Sequence, residues 1–431
     1  MSESNAGSAT HTGKTDAMRI DGVYYDTVKL AAIHPGGPMM IKMANGTDAT
    51  RIFVSYHRRR FPHEKYKHVQ VPSEDVQSGL IADEATPNFD LYLELCDKVR
   101  PLIRPTKGFA PWYYFIKAAV WCIIVIALDV YAVFTWRPLY LTFLQSLAMA
   151  MVGLNVQHDA NHGALSVNPV INRMFGLMQD VLGGSSISWI IHHDFIHHIY
   201  TNEPHRDLDL EISLLRLHRF IPKRYYHTLQ QVYFLVLEAV FGPIHVLSNA
   251  CFLWSGPEKR LRFISNEWKL SCLMTLIPPL RLGFSFLHAP TVFDALVGFF
   301  TQYAVGGMYL AFFFLISHNF TGVRKEGNTD GACFLRAQVE TSSSVGGWWL
   351  GQINGGLNYQ IEHHLFPRVH HGYYHYIAPT VRAFCVQHGI SYARFNTLWD
   401  NVISTVDHLN IYGHGKEQTV AVEGLEATAS N

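Results

Sequence analysis

The chain has 431 residues, room for two or three domains of about 150 residues each. Hydrophobic residues make up 48% and charged residues only 16%, against about 25% in a soluble domain, which excludes a disordered chain and points to a membrane. The 34 basic and 34 acidic residues cancel, which argues against a nucleic-acid partner. Six cysteines (Cys96, Cys122, Cys251, Cys272, Cys333, Cys385) show no CxxC spacing and read as reduced thiols. Histidine is the outlier: there are 25, many of them clustered.

Residues 1–17 are polar and lack an apolar signal region, so a disordered, cytosolic N-terminus is expected. Residues 18–72 mix strand-like runs such as Val23-Tyr24-Tyr25 with helix-compatible stretches and read as a small soluble α+β domain. This segment holds His34-Pro35-Gly36-Gly37, and His57 follows 23 residues after His34. Two imidazoles can fill both axial positions of a haem iron and leave none open for oxygen, while the glycines allow a tight backbone beside a porphyrin. With Ile20-Asp21-Gly22-Val23-Tyr24 ahead of them, these residues closely resemble the cytochrome b5 domain. The resemblance implies haem b, with His34 and His57 as its axial ligands.

Residues 73–107 read as a polar, turn-rich linker followed by a juxtamembrane helix, in which Phe89, Leu91, Leu93, Leu95, Val99 and Leu102 interleave with charge. Trp112 to Trp136 is apolar apart from Lys117 and Asp129, and is long enough to cross a hydrocarbon core of about 30 Å. After Arg137-Pro138 the chain returns over Leu139 to Val156. A second hairpin pairs a weak span, Leu270 to Leu287, with a strong one, Thr291 to Ser317. Leu229 to Trp254 contains Glu238, Pro243 and His245 and is expected to be interfacial or buried. That makes about four spans, all helical, within a domain over 108–412. Basic residues at their outer ends favour hairpins that open to the cytosol. Residues 413–431 are expected to be a disordered, cytosolic tail.

The histidines cluster at the expected cytosolic face. His158 and His162 are i and i+4; so are His193 and His197, with His198 next in line; Gln360, His363 and His364 are i, i+3 and i+4. His318 ends the last span. Imidazole suits iron, zinc and copper. Eight histidines are too many for one ion and suit two. An iron pair can split dioxygen and break an unactivated C–H bond, chemistry that no side chain performs alone. Asp159, Asp194 and Glu362 adjoin these positions, either as partners of the imidazoles or as solvated residues. His205, His227, His245, His288, His370, His371, His375, His388, His408 and His414 lack the spacing and read as surface or interfacial residues.

Over residues 18–412 the chain resembles the front-end fatty acid desaturases, in which a cytochrome b5 domain is fused to a membrane desaturase. The family's boxes HxxxH, HxxxHH and QxxHH correspond to His158–His162, His193–His198 and Gln360–His364. The stretches Gln338-Val339-Glu340-Thr341 and Gly355-Gly356-Leu357-Asn358 are also similar. His192 stands where the family more often has Gln. Phe314 occupies a position where the animal stearoyl-CoA enzymes have a water-bridging Asn. The resemblance implies two iron ions held by His158, His162, His193, His197, His198, His318, Gln360, His363 and His364 in a cytosolic cap. It implies a multi-pass protein of the endoplasmic reticulum membrane, electrons from NADH through NADH-cytochrome b5 reductase and the haem, and O2 as oxidant. The substrate implied is a polyunsaturated fatty acyl-CoA or acyl-phospholipid, with a cis double bond inserted between its carboxyl end and an existing double bond. The stretch His158 to Ala164 is nearest to algal or protist Δ5 and Δ4 enzymes, with Δ5 the expected position. Alternatives are a Δ4 or Δ6 enzyme, a sphingolipid long-chain-base desaturase or hydroxylase, a membrane metal transporter and a haem-linked electron carrier.

Overall fold

The computed structural model describes residues 14–76, 86–325 and 333–417. Residues 1–13, 77–85 and 418–431, which carry most of the expected disordered ends and part of the expected linker, lie outside the described residues. At both ends order extends past the expected boundary: the first strand includes Ala17, and the last helix, Leu398–His414, runs beyond residue 413.

Strands Ala17–Ile20 and Val23–Asp26 pair antiparallel, with Ile20 opposite Val23. The turn between them is Asp21-Gly22, both at positive φ (49° and 80°), which matches the twist of a two-residue hairpin. Asp26 then caps helix Thr27–Ile33 by accepting from the Lys29 amide at 2.9 Å. Helices Met39–Met43 and Thr50–His57 complete the unit. Met18, Ile20, Tyr25, Leu30, Ile52 and Phe61 form its core. His34 stands at the end of the first helix and His57 at the end of the third, so the two histidines project from converging helix ends.

Helix Asp90–Val99, expected at the membrane edge, packs against the segment from Ile361 to Ile377. Tyr92, Leu95 and Val99 pack with Ile361, Leu365, Phe366, Tyr374 and Ile377. The Tyr92 hydroxyl reaches the carbonyls of Ser55 (3.1 Å) and Leu365 (2.8 Å), tying the N-terminal unit to the helix Gln360–Leu365.

Five helical segments among the described residues are long and apolar enough to cross a membrane, against about four expected: Trp112–Phe134, Leu139–Asn161, Tyr225–Trp254, Leu261–His288 and Val292–His318. The third contains the helix expected to be interfacial or buried. Gln230–Trp254 is one continuous 25-residue helix in which Pro243 is accommodated. Its outer face is apolar, with Val232, Val236 and Leu247 at 66%, 64% and 67% exposure, whereas Gln230 and Glu238 point inward at 0% and 6%. The polar residues that weakened the signal face the bundle and not the surroundings. Its close crossing with Val292–His318 uses glycine: a Cβ on Gly307 would stand 2.5 Å from the Gly242 Cα.

Asp129, an interruption in the first span, is paired across the bundle. Arg281 meets it through Nη2 at 2.5 Å and Nε at 2.9 Å, and Gln145 donates to it at 2.7 Å. Arg281→Ala leaves that carboxylate without its partner. The expected loss is roughly 2–3 kcal/mol, below the ~3–5 of a fully buried pair because a quarter of the Asp129 side chain is exposed. Thermal unfolding in detergent checks this. A double Asp129→Ala, Arg281→Ala variant should recover part of the loss, and full stability of Arg281→Ala would show the pair to be neutral.

Candidate metal centre

The His34 and His57 rings face one another across a crevice, their centroids 6.0 Å apart. His34 Nδ1 is held by the Gly37 carbonyl at 2.8 Å and His57 Nδ1 by the Phe53 carbonyl at 3.0 Å. With the proton on Nδ1, each Nε2 is left for a ligand bond. Burial lowers the pKa of both, His57 to about 3, so both are neutral. Met18, Ile20, Met40 and Ile52 make the crevice apolar. The residues fit an axially ligated haem. The far wall is not part of the N-terminal unit: His162, Pro169, Phe195 and Arg368 line it from the membrane domain.

The eight residues grouped by sequence spacing and His318 converge at one end of the bundle. His158, His162, His193 and His363 form one cluster and His197, His318 and His364 a second. His198 Nε2 lies 3.1 Å from His193 Nε2 and 3.0 Å from His363 Nε2. The Gln360 amide lies 2.9 Å from His318 Nε2 and 3.3 Å from His364 Nε2, which are 3.2 Å from each other. Metal–nitrogen bonds of about 2.1 Å put neighbouring donors roughly 3.0–3.4 Å apart, so these separations suit metal ligands. The amide's nitrogen and oxygen are interchangeable by a half-turn of the group, and the turned form aims its oxygen at the second cluster.

One correction concerns the second box. His193 and His197 were expected to share a helix face and chelate one ion. The segment Ile190–His197 is a π-helix, in which residues i and i+5 are bonded. His198 therefore sits beside His193, and His197 turns to the other cluster. A second π-helical turn, Gly153–Gln157, leads into His158.

The outer nitrogens are held in turn. His162 Nδ1 faces Asp194 at 3.0 Å and Tyr56 Oη at 2.9 Å. His197 Nδ1 meets Asp207 at 3.1 Å, His363 Nδ1 the Tyr374 hydroxyl at 3.1 Å, and His364 Nδ1 the Thr201 hydroxyl at 3.2 Å. The His318 Nδ1 bonds the Thr341 carbonyl at 3.0 Å. Burial and neighbouring imidazoles lower the pKa of His193, His198, His363 and His364 well below the usual value, keeping them neutral. Burial alone would also lower His197, but its pairing with Asp207 prevails and raises it.

Of Asp159, Asp194 and Glu362, the acidic residues that adjoin the boxes in sequence, Asp194 is the one that touches a box histidine. Glu362 accepts from Tyr392 (2.7 Å) and Ser344 (3.1 Å), and burial pushes its pKa up to about 7. Asp159 meets His371 Nδ1 at 2.5 Å. His370 and His371 are accordingly buried, as are His227 and His408, and correct the surface reading. His192 lies outside the cage with its ring 5.6 Å from Phe252. Asp207 escaped the sequence reading, although Asp207-Leu208-Asp209 closely follows the second box.

From the cage a cavity of about 610 Å³ runs between the helices. Its lining includes His158, His193, His197 and His318 together with Met149, Phe241, Tyr303, Leu310 and Phe314.

The sequence profile of the fatty acid desaturase family matches residues 134–396, and that of the cytochrome b5-like haem/steroid binding domain matches residues 7–72. The chain therefore belongs to the fatty acid desaturase family, as a membrane-bound oxidoreductase with an N-terminal cytochrome b5 domain. An acyl-lipid (7-3)-desaturase of Diacronema lutheri is 38% identical over 93% of this chain and 91% of its own. One from Chlamydomonas reinhardtii, described as chloroplastic, is 32% identical over 94% and 82%. The Delta(5) fatty acid desaturase A of Dictyostelium discoideum is 26% identical over 94% and 92%.

Asp207 orients a cage histidine from outside, so Asp207→Ala should weaken metal binding about 10–100-fold. Metal analysis of the purified protein after graded chelation checks this; wild-type retention would mean that Asp207 orients nothing.

Proposed function

We propose that this chain is an O2-dependent front-end desaturase of acyl lipids, with two iron ions in the histidine cage and haem b between His34 and His57. The observation that carries the reading is the convergence of the cage nitrogens on a lipid-sized cavity. Its volume falls within the roughly 300–1,000 Å³ of small-molecule sites. Iron bound there, supplied with O2 and electrons, provides the oxidising power to remove two hydrogens from adjacent carbons, which no side chain has.

The chain's own residues do the rest. Phe241, Tyr303, Leu310 and Phe314 enclose the acyl chain and exclude water beside the cage. Asp194, Asp207, Tyr374, Thr201 and the Thr341 carbonyl hold the imidazoles so that their Nε2 atoms face inward. Gln360 supplies an amide oxygen at a ninth position. NADH-cytochrome b5 reductase supplies the electrons, and the protein lies in the endoplasmic reticulum membrane with both termini cytosolic. We divide the chain at 18–72 for the haem domain and 108–412 for the desaturase domain.

The position of the new bond is the finer question. The sequence alone favoured Δ5. Relatives at 24–27% identity include Delta(5) and (8-3) enzymes, whereas those at 32–38% are (7-3)-desaturases. Read as a reference bond and an interval of three carbons, these numbers give positions 5 and 4. We place this chain with the (7-3) group, at Δ4, acting on an acyl lipid and not on acyl-CoA. Yeast expressing the chain and fed docosapentaenoic acid should make the Δ4 product, first in phospholipid. Conversion of dihomo-γ-linolenic or eicosatetraenoic acid instead restores Δ5, and first appearance in the CoA pool overturns the carrier.

Gln360 separates ligand from bystander. Gln360→His should keep iron and some activity, because imidazole can fill the same position. Gln360→Ile removes the oxygen at similar bulk and should lose both. Wild-type iron content and turnover in Gln360→Ile would take Gln360 out of the site.

A further inference from the structure

We infer that Tyr56 is the residue that couples the haem crevice to the histidine cage, giving electrons a bonded path between the two sites. The inference rests on the reading above, in which both sites are loaded. It uses a contact that the sequence boxes do not contain.

Tyr56 immediately precedes His57 in the chain and lines the same crevice. It is 8% exposed, and its hydroxyl lies 2.9 Å from His162 Nδ1, the outer nitrogen of a cage residue. The two ring centroids are 6.2 Å apart. One side chain thus spans the gap: its backbone is joined to a haem-side histidine and its hydroxyl meets a cage-side one. Asp194 faces the same His162 nitrogen at 3.0 Å, so the single Nδ1–H is shared between the Tyr56 hydroxyl oxygen and the carboxylate.

The surrounding seam is clamped where such a path needs it. Tyr92 bonds the carbonyl of Ser55, next to Tyr56, and that of Leu365, next to His364. Arg51, on the Tyr56 helix, reaches the Ile199 carbonyl at 3.1 Å and Glu203 at 3.4 Å. These contacts flank Tyr56 and limit sliding of one unit over the other. Electron transfer falls steeply with each through-space gap, so a chain of covalent bonds and one hydrogen bond is favoured over a jump. In each transfer the haem side is oxidised by one electron and the cage side is reduced by one. Tyr56 itself keeps its O–H bond and is not oxidised.

The test uses full-length protein in nanodiscs with the acyl lipid that yeast feeding identifies as substrate. The haem is reduced with NADH and cytochrome b5 reductase, then mixed with O2, and its reoxidation is followed at the Soret band. Tyr56→Phe removes the hydroxyl and keeps the ring. It should slow reoxidation about tenfold while leaving haem reduction, the haem spectrum and iron content at wild-type values. Tyr56→Leu should slow it further. Wild-type reoxidation in Tyr56→Phe overturns the inference. So does a loss of iron that matches the loss of rate, which would make Tyr56 only a prop for His162. If wild-type protein binds no iron, or its haem is not reoxidised in the presence of substrate, the functional reading itself fails and takes the inference with it.

Discussion

The direction in which each buried imidazole points is the constraint on which the rest of this structure depends. A neutral imidazole has one donor and one acceptor nitrogen, and fixing one decides where the other aims. Here the outer nitrogens of His162, His197, His318, His363 and His364 are all held by protein groups. Both nitrogens of His158 and the Nε2 of His162 and His197 have no partner among the described residues. A buried polar atom left unpaired costs about 1–3 kcal/mol. A metal ion converts that cost into ligand bonds, so the binding energy of the metal also stabilises the folded cap.

Positioning these rings takes a frame that is stiff at the membrane and irregular at its end. The ion pair Asp129–Arg281 and the bond from Arg137 to Gln302 (2.7 Å) tie the membrane helices together. Breaks in helical regularity fall where the cage is built. The π-helical turns at Gly153–Gln157 and Ile190–His197 add a residue to the turn and rotate the side chains downstream of it. A regular α-helix would set His193 above His197 and send both to one ion. The π-helix separates them, and one box serves two clusters.

Which histidines belong to the cage was legible in the sequence, because spacing within a helix is a local property. The approach of His34 and His57 was legible too, from His34-Pro35-Gly36-Gly37 and the distance to His57. The pairing of histidines into clusters was not, since nothing in Ile190–His197 marks a π-helix before packing selects one. The partners Asp207, Tyr374 and Thr201 were hidden for a different reason: they reach their histidines through tertiary folding, and no fixed interval encodes that. The length of the helix Gln230–Trp254 was hidden because Glu238 and Pro243 count as polar or breaking in a linear scan. Only the fold shows that Glu238 faces the cavity and not the surroundings.

The interface between the units also changes what the fusion means. A tether alone would raise the local concentration of the haem domain near its acceptor and leave the approach undefined. Here the haem crevice is completed by His162, Phe195 and Arg368 of the membrane domain, and Phe195 lies inside the π-helical second box. Ile199, one residue past that box, packs into the core of the N-terminal unit. The segment that carries three cage histidines therefore also builds one wall of the haem crevice. The two domains thus share one turn of helix as a common wall and are not two modules on a string.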